Sequence, residues 1–262
     1  MNYVIKNRYI LFNTFEKFSD EFIHCYTRGY DDLGREFDFT RRTEKDDPRL
    51  FENIKILGEQ LGFNPSGMTM VMQMHTDKIK KVTFKDSLQN IPYDRLPVYD
   101  AMISDCKGIV LATKHADCVP VYFIDSENKA VGLAHSGWKG TLNLIAPKTA
   151  RAMKEAYGTD LSKLSCVIGP SICAGCYEIR KDVYDLFTEK HSFAEKYIVP
   201  KKDSYRLDLK GLIKETLIRE GLSEKNTDVC DLCTACNSSM MYSYRKSGGN
   251  CGRSLAVLGI RA

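Results

Sequence analysis

The chain has 262 residues, 43% of them apolar and 27% charged, with a net charge of +4 and an isoelectric point near 8.4. That composition is enough for a sizeable core, and no apolar run approaches the length of a membrane span. Acidic and basic residues are interspersed, with no block of five or six like charges, which argues against a nucleic-acid-binding stripe. The first residues, Met1 to Lys6, lack the pattern of a secretory leader, so a cytoplasmic location is expected. In a reducing compartment the ten cysteines are thiols, metal ligands or catalytic groups rather than a disulfide framework.

Residues 2 to 12 read as one or two short strands, and Phe22 to Thr27 as another that ends at Arg28-Gly29-Tyr30. Asp31 to Asp47 is charged and without periodicity, so a loop is expected. Asp47-Pro48 then opens a helix, with Asp47 as N-cap, Leu50, Ile54, Leu57 and Leu61 on one face, and Gly62 as the stop. Strands are expected at Met68 to Met74, Val98 to Ser104 and Gly108 to Thr113. The stretch His115 to Gly140 is the centre of the chain. Val119 to Asp125 and Ala130 to Ser136 are two strand-like segments joined by a polar turn, Ser126 to Lys129. Antiparallel pairing across that turn would bring Cys118 and His135 to the same end of a sheet.

Thr141 to Tyr157 reads as a helix closed by Gly158, but Pro147 requires either a start near Ala146 or a kink. Leu164 to Ile168 reads as a strand, Lys181 to Lys190 and Leu209 to Glu220 as helices, and Ser254 to Ile260 as a strand. Helices and strands mix without regular alternation. We therefore expect an α+β fold, a single domain over residues 1–262 with mixed β-sheets flanked by helices.

Several constellations carry chemistry. His75, Cys118 and His135 each lie at the end of an expected strand, and two imidazoles with one thiolate suit a Zn²⁺ site that keeps a fourth position open. The same residues also suit a buried thiol with two core histidines. Cys118 could alternatively be a nucleophile activated by His135 or His75, and Asp117 could orient a histidine or act as a general base. Arg28 is a candidate anion clamp, with an ordinary surface arginine as the alternative. Arg245 and Arg253 flank a glycine-rich loop that can cradle an anion. Cys230, Cys233 and Cys236 follow one another at two-residue spacing, with Cys251 later, and Cys173-x-x-Cys176 is a further pair. That run suits Zn²⁺ or an iron–sulfur cluster, but it lacks a clean second pair, so thiols on a strand and turn are the reading preferred.

Four segments taken together resemble a known family. His115-Ala-Asp-Cys-Val-Pro-Val121, Ala134-His-Ser-Gly-Trp-Lys-Gly140, Ile168-Gly-Pro-Ser-Ile172 and Tyr242-Ser-Tyr-Arg245 are similar, in order, to the signatures of the multicopper polyphenol oxidase or laccase-domain family, now regarded as purine nucleoside phosphorylases. Gln73-Met-His75 and Thr27-Arg-Gly29 resemble two further segments of that family, and Cys233 and Cys236 are partly expected from its tail. The resemblance implies a cysteine-hydrolase-type α+β fold akin to that of a bacterial toxin deamidase with a Cys–His site. It implies Zn²⁺ on His75, Cys118 and His135, an essential Cys118, and Arg28 near the substrate. It also implies phosphorolysis of adenosine, inosine and S-methyl-5′-thioadenosine, together with adenosine deamination.

On that basis the expected partners are purine nucleosides and phosphate, with no nucleic acid and no membrane, for a monomer or homodimer. Phosphate contacts are expected from Arg28, Arg245 and Arg253, and Asp117 is a candidate proton shuttle. Several coppers would need many histidine ligands, and the chain has five histidines, so Zn²⁺ is preferred over copper. After Arg28-Gly29 the chain departs from the family pattern, running into Tyr30-Asp31-Asp32, with Asp38 as the nearest stand-in for a family asparagine. Two other classes stay open. One is a cysteine hydrolase or amidase using Cys118 and His135 on a cell-wall precursor peptide. The other is a non-catalytic metal or redox module on Cys230, Cys233, Cys236 and Cys251.

Overall fold

Alternating side chains along the strands place the two faces of each strand in different cores, and the architecture follows from this. The computed structural model describes residues 2–40 and 48–262. One six-stranded sheet runs, in spatial order, Tyr3–Ile5, Tyr9–Phe12, Phe22–Thr27, Ser254–Ile260, Val110–His115 and Met68–Met70. A second runs Thr227–Val229, Ser165–Ile168, Val119–Asp125, Ala130–Ser136, Ala101–Ser104 and Ile79–Lys81. Both mix parallel and antiparallel pairs. The expected α+β architecture with mixed sheets is what the chain adopts. Among the described residues no helix is long and apolar enough to cross a membrane.

The two sheets pack on each other. Tyr122, Ile124, Val131 and Leu133 of the second sheet meet Ile10, Phe12, Tyr26, Ala256 and Leu258 of the first in one buried cluster. The opposite face of the second sheet, with Val119, Val121, Phe123 and Ala134, packs on the helices Ile145–Tyr157 and Leu209–Glu220 through Ala146, Ala150, Met153, Leu212 and Ile213. The outer face of the first sheet, with Cys25, Val110, Ala112 and Val257, packs on Leu50, Ile54 and Leu57 of the helix Pro48–Leu61. Strands covered on both faces read as continuous apolar runs, which is why the central segments are so hydrophobic.

Several elements differ from the sequence expectation. Of the two readings Pro147 left for the helix expected over Thr141 to Tyr157, the later start holds: the helix runs Ile145–Tyr157, and a separate short helix, Trp138–Leu142, precedes it, with Leu144 between them in the left-handed region at φ 61°. Pro147 thereby falls in the first turn of the second helix, where its missing N–H costs nothing. The strand expected over Met68 to Met74 stops at Met70, because the chain turns out of the sheet to wrap a buried carboxylate described below. A three-stranded sheet of Glu178–Ile179, Ser204–Leu207 and Ile198–Lys201 has no counterpart in the sequence reading. Its strands are short and only half-buried, so they lack the strong alternation that marks a strand. The N-cap expected at Asp47 lies outside the described residues.

Candidate active site

The hairpin of Val119–Asp125 and Ala130–Ser136 pairs Val119 with Ser136 and Pro120 with His135. Cys118 thus sits one residue before its first pair, at the same end of the sheet as His135, as the turn spacing requires. Asp125 closes the turn by accepting from the backbone N–H groups of Glu127 and Asn128. His75 approaches from the first sheet's side, its Nε2 3.7 Å from Cys118 Sγ. The ligand atoms of His75, Cys118 and His135 all lie within 4.8 Å of one another, an arrangement that can hold a metal ion. Ligands at 2.0–2.3 Å from a tetrahedral ion sit about 3.6 Å apart, so the triangle is close to binding size, and two imidazoles with one thiolate suit Zn²⁺. Gly137 leaves room for it: a Cβ there would stand 2.8 Å from His75 Cδ2 and 3.0 Å from Cys118 Sγ.

Asp100, a residue the sequence reading passed over, organises this triangle. It is fully buried, immediately before the second-sheet strand Ala101–Ser104. Its carboxylate accepts from the backbone N–H groups of Met74, His75 and Thr76, and from the Thr76 hydroxyl. It also lies 2.8 Å from His135 Nδ1, which turns His135 Nε2 toward the cluster. One carboxylate therefore fixes a ring and the loop bearing a second ring, the outer-sphere arrangement that metal-binding histidines use. The loop is strained as well, since His75 adopts φ 57°. Gln73 clasps it from the other side, exchanging hydrogen bonds with the Lys114 backbone. His115, equally buried, bonds the Cys118 carbonyl and Thr113 Oγ1, so it supports the thiol's backbone from inside the core.

Charge in the cluster is paired. Burial alone would raise the Cys118 thiol, but the facing His135 imidazolium and hydrogen bonds from both histidines bring it down to about 6. Burial alone would lower His135, but the Cys118 thiolate and the Asp100 carboxylate lift it to about 9. The metal-free protein should therefore hold a thiolate–imidazolium pair between those values. Alkylation of Cys118 after chelation is expected to rise with pH through about 6 and then level off, instead of rising through the ordinary thiol value of 9.0. The check is the rate of modification of the Cys118 peptide against pH by mass spectrometry; a midpoint near 9 would show that the pair does not form.

The cluster opens on a cavity of about 810 Å³ walled by Trp138, Tyr177, Tyr244, Lys114, Arg245 and Arg253. Arg245 stacks over Tyr177 at 5.1 Å and donates to the Glu178 carbonyl. Asp38 accepts from the Arg253 backbone N–H and so pins the glycine-flanked turn that carries Arg253 to the cavity. Asp117 also lines the cavity, in the left-handed region at φ 84°. Both its carboxylate oxygens are engaged, one by Thr234 Oγ1 at 2.6 Å and one by the Arg245 N–H at 2.7 Å. It anchors the C-terminal loop to the site.

Arg28 lies apart from this cavity. It is buried and paired with Asp32, and it donates to the Lys6 carbonyl; it does not line the cavity that holds Cys118. The departure after Arg28-Gly29 supplies the physical reason, because the loop provides the carboxylate that neutralises the guanidinium. The tail cysteines also divide differently from the run read in sequence. Cys230 is fully buried in the core between the sheets, where burial pushes its thiol up to about 11. Cys251 lies against Arg253. Cys233 and Cys236 instead meet Cys173 and Cys176.

Comparison with known proteins agrees with this picture. A family model described as multi-copper polyphenol oxidoreductase laccase matches residues 30–261. The purine nucleoside phosphorylase YlmD of Bacillus subtilis is 30% identical over 218 residues, covering 82% of this chain and 78% of the relative. A protein named adenosine deaminase RL5, from an unknown prokaryotic organism, is 27% identical over 209 residues, covering 78% of this chain and 79% of its own. Among solved structures, the hypothetical protein YfiH of Bacillus licheniformis superposes with a TM-score of 0.88 at 26% identity, covering 99% of both chains.

Proposed function

The chain belongs to the multi-copper polyphenol oxidoreductase laccase family, and from that membership and the geometry above we propose that it is a purine nucleoside phosphorylase with adenosine deaminase activity. Adenosine, inosine and S-methyl-5′-thioadenosine are its substrates, with phosphate as the second reactant. The observation that carries the reading is the His75–Cys118–His135 triangle at the floor of a cavity walled by aromatic rings and three cationic side chains. The names of the relatives, which include both activities, support it.

Trp138, Tyr177 and Tyr244 offer faces on which a purine can stack, while Lys114, Arg245 and Arg253 hold phosphate. In phosphorolysis a phosphate oxygen forms the bond to ribose C1′ as the bond to the purine nitrogen breaks, and the electron pair leaves with the base. The cations keep the phosphate in line and Asp117, through Arg245 and Thr234, keeps the wall in place. Positioning and fixed charge supply most of such an acceleration. In deamination water adds at purine C6 and the amine leaves as ammonia, converting adenosine to inosine. A Zn²⁺ on His75, Cys118 and His135 would supply Lewis acidity at that point. Asp100 holds the rings ready for it.

The test is turnover of inosine and adenosine by the purified protein, with and without phosphate, followed by chromatography of base and nucleoside. Phosphate-dependent release of hypoxanthine and phosphate-independent formation of inosine from adenosine are expected. No turnover of either nucleoside would sink the reading. Arg245→Ala and Arg253→Ala should each raise the KM for phosphate by about tenfold or more, the equivalent of the ~1.5–3 kcal/mol that a hydrogen bond to a charged group contributes. The KM for nucleoside should move less; equal effects on both would place these arginines outside a phosphate subsite.

A second reading has one observation in its favour. Cys118, His135 and Asp100 are in the order of a thiol–imidazole–carboxylate triad. A covalent cysteine hydrolase acting on a peptide precursor would use that line without a metal. Iodoacetamide separates the two, since a metal-held thiolate is protected until chelation and a free nucleophile is not.

A further inference from the structure

We propose that Cys173, Cys176, Cys233 and Cys236 form a second, structural metal site, a tetrathiolate Zn²⁺ centre that locks one wall of the cavity. The four Sγ atoms all lie within 4.8 Å of one another, and Cys176 Sγ stands 3.4 Å from Cys236 Sγ. Four thiolates at 2.3 Å from one tetrahedral ion are about 3.8 Å apart, so the cluster is already the size of one such ion. It is too tight to enclose several irons, whose ligands must stand around a larger core.

Each half is a Cys-x-x-Cys turn. In the first, the Cys176 and Tyr177 N–H groups both donate to the Cys173 carbonyl, which curls the two thiols to one side. In the second, the Asn237 backbone and side-chain N–H groups donate to the Cys233 carbonyl. The two turns follow neighbouring parallel strands, Ser165–Ile168 and Thr227–Val229. They are joined by a bridge in which Ser171 donates to Leu232 and Thr234 donates to Ser171. The most buried sulfur, Cys233 Sγ, accepts from the Cys173 and Cys236 N–H groups at 3.3 and 3.4 Å. Backbone donors aimed at a sulfur favour thiolate over thiol and are the outer sphere a metal–thiolate site needs.

All four are free thiols, and Cys236 is exposed, so an ion can enter. Binding forms four metal–sulfur bonds and releases the thiol protons to solvent, with no change of oxidation state. Four protein ligands leave no open position, so the centre is structural. Its position gives it a role. Ile172 and Tyr177, which flank the Cys173–Cys176 pair on either side, line the cavity, and the Ile172 N–H donates to the Asp117 carbonyl. Thr234, next to Cys233, holds the Asp117 carboxylate.

The experiment is elemental analysis of the full chain, followed by Co²⁺ exchange in a Cys118→Ala background, where the four cysteines are the only thiolate cluster among the described residues. Two zinc ions per chain are expected in the parent. The Cys118→Ala protein should keep one, and its cobalt form should show intense thiolate-to-metal charge transfer and tetrahedral bands. Cys236→Ser, which changes the exposed ligand, should weaken the charge-transfer bands by about a quarter and lower the affinity for the ion while the circular dichroism stays folded; unchanged bands would overturn the assignment of Cys236. If that variant does not fold, alkylation decides the matter on Cys118→Ala itself, because the four thiols should be protected together until a chelator is added. Free alkylation of all four without chelator, a disulfide among them in native peptide maps, or iron in place of zinc would each overturn the proposal.

Discussion

Replacing Cys118 with alanine is expected to abolish both nucleoside activities and to empty the His75–Cys118–His135 site. The thiol is the one anionic ligand in that triangle, and it is half-buried between two imidazoles. Without it the remaining donors are two neutral rings, and the positive charge of an ion would be held only by the outer Asp100. Activity should fall by on the order of 10³-fold or more, the size of losing a group that stabilises charge in the transition state. The fold should survive, because the backbone of residue 118 is held independently by His115 and the following strand. The measurements are kcat/KM for inosine and adenosine, beside metal content and circular dichroism. Retained phosphorolysis in a protein that has lost this metal would show that the metal serves deamination alone. Retention of both activities would remove Cys118 from the site.

A second large effect is expected at Asp100. Asp100→Asn keeps the size of the side chain but replaces one acceptor by a donor, and it places an amide against the N–H groups of residues 74–76 or against His135. Metal affinity should fall about 10–100-fold, as for other outer-sphere partners of metal-bound histidine. Asp100→Ala should in addition destabilise the protein by about 3–5 kcal/mol, because three backbone N–H groups, a hydroxyl and a buried imidazolium all lose their acceptor.

The pH dependence has a definite sign. Burial would raise this carboxyl, but hydrogen bonds from His135 and Thr76 outweigh it and hold it down to about 2. A depressed carboxyl contributes stability that is complete above its unfolded value and is lost as pH falls toward 2. The parent should therefore lose stability in acid more steeply than Asp100→Asn, as measured by urea midpoints between neutral pH and pH 3. Equal slopes would show that Asp100 carries no such linkage, and unchanged metal affinity in Asp100→Asn would show that it does not position the rings.

These two residues divide along the line between what the chain states locally and what the fold must supply. Cys118 and His135 are legible because they flank one hairpin: two continuous apolar runs and a four-residue polar turn between them set the pairing, and pairing sets the ends. The helices Pro48–Leu61, Lys181–Lys190 and Leu209–Glu220 and the strands Phe22–Thr27 and Ser254–Ile260 are legible for the same reason, since periodicity and glycine stops act within a few residues. Asp100 is not legible. It is a single acid just ahead of an apolar strand, and its value depends on donors 24–26 residues before it and an imidazole 35 residues after it.

Arg28 is the opposite case. A guanidinium at a strand end reads as an anion clamp, but here it pairs with Asp32 four residues on and is turned by the fold toward the Lys6 carbonyl, 22 residues before it. The cysteines make the same point, because two Cys-x-x-Cys turns 60 residues apart become one cluster only when their parallel strands pair. By itself, then, the sequence determined the α+β character, the central hairpin and the identity of the family, all of which rest on local pattern. The tertiary structure alone decided which polar groups are neutralised, which carboxylate orders the histidines and which thiols meet. A buried charge or sulfur is defined by its partners, and sheet pairing draws those partners from distant parts of the chain.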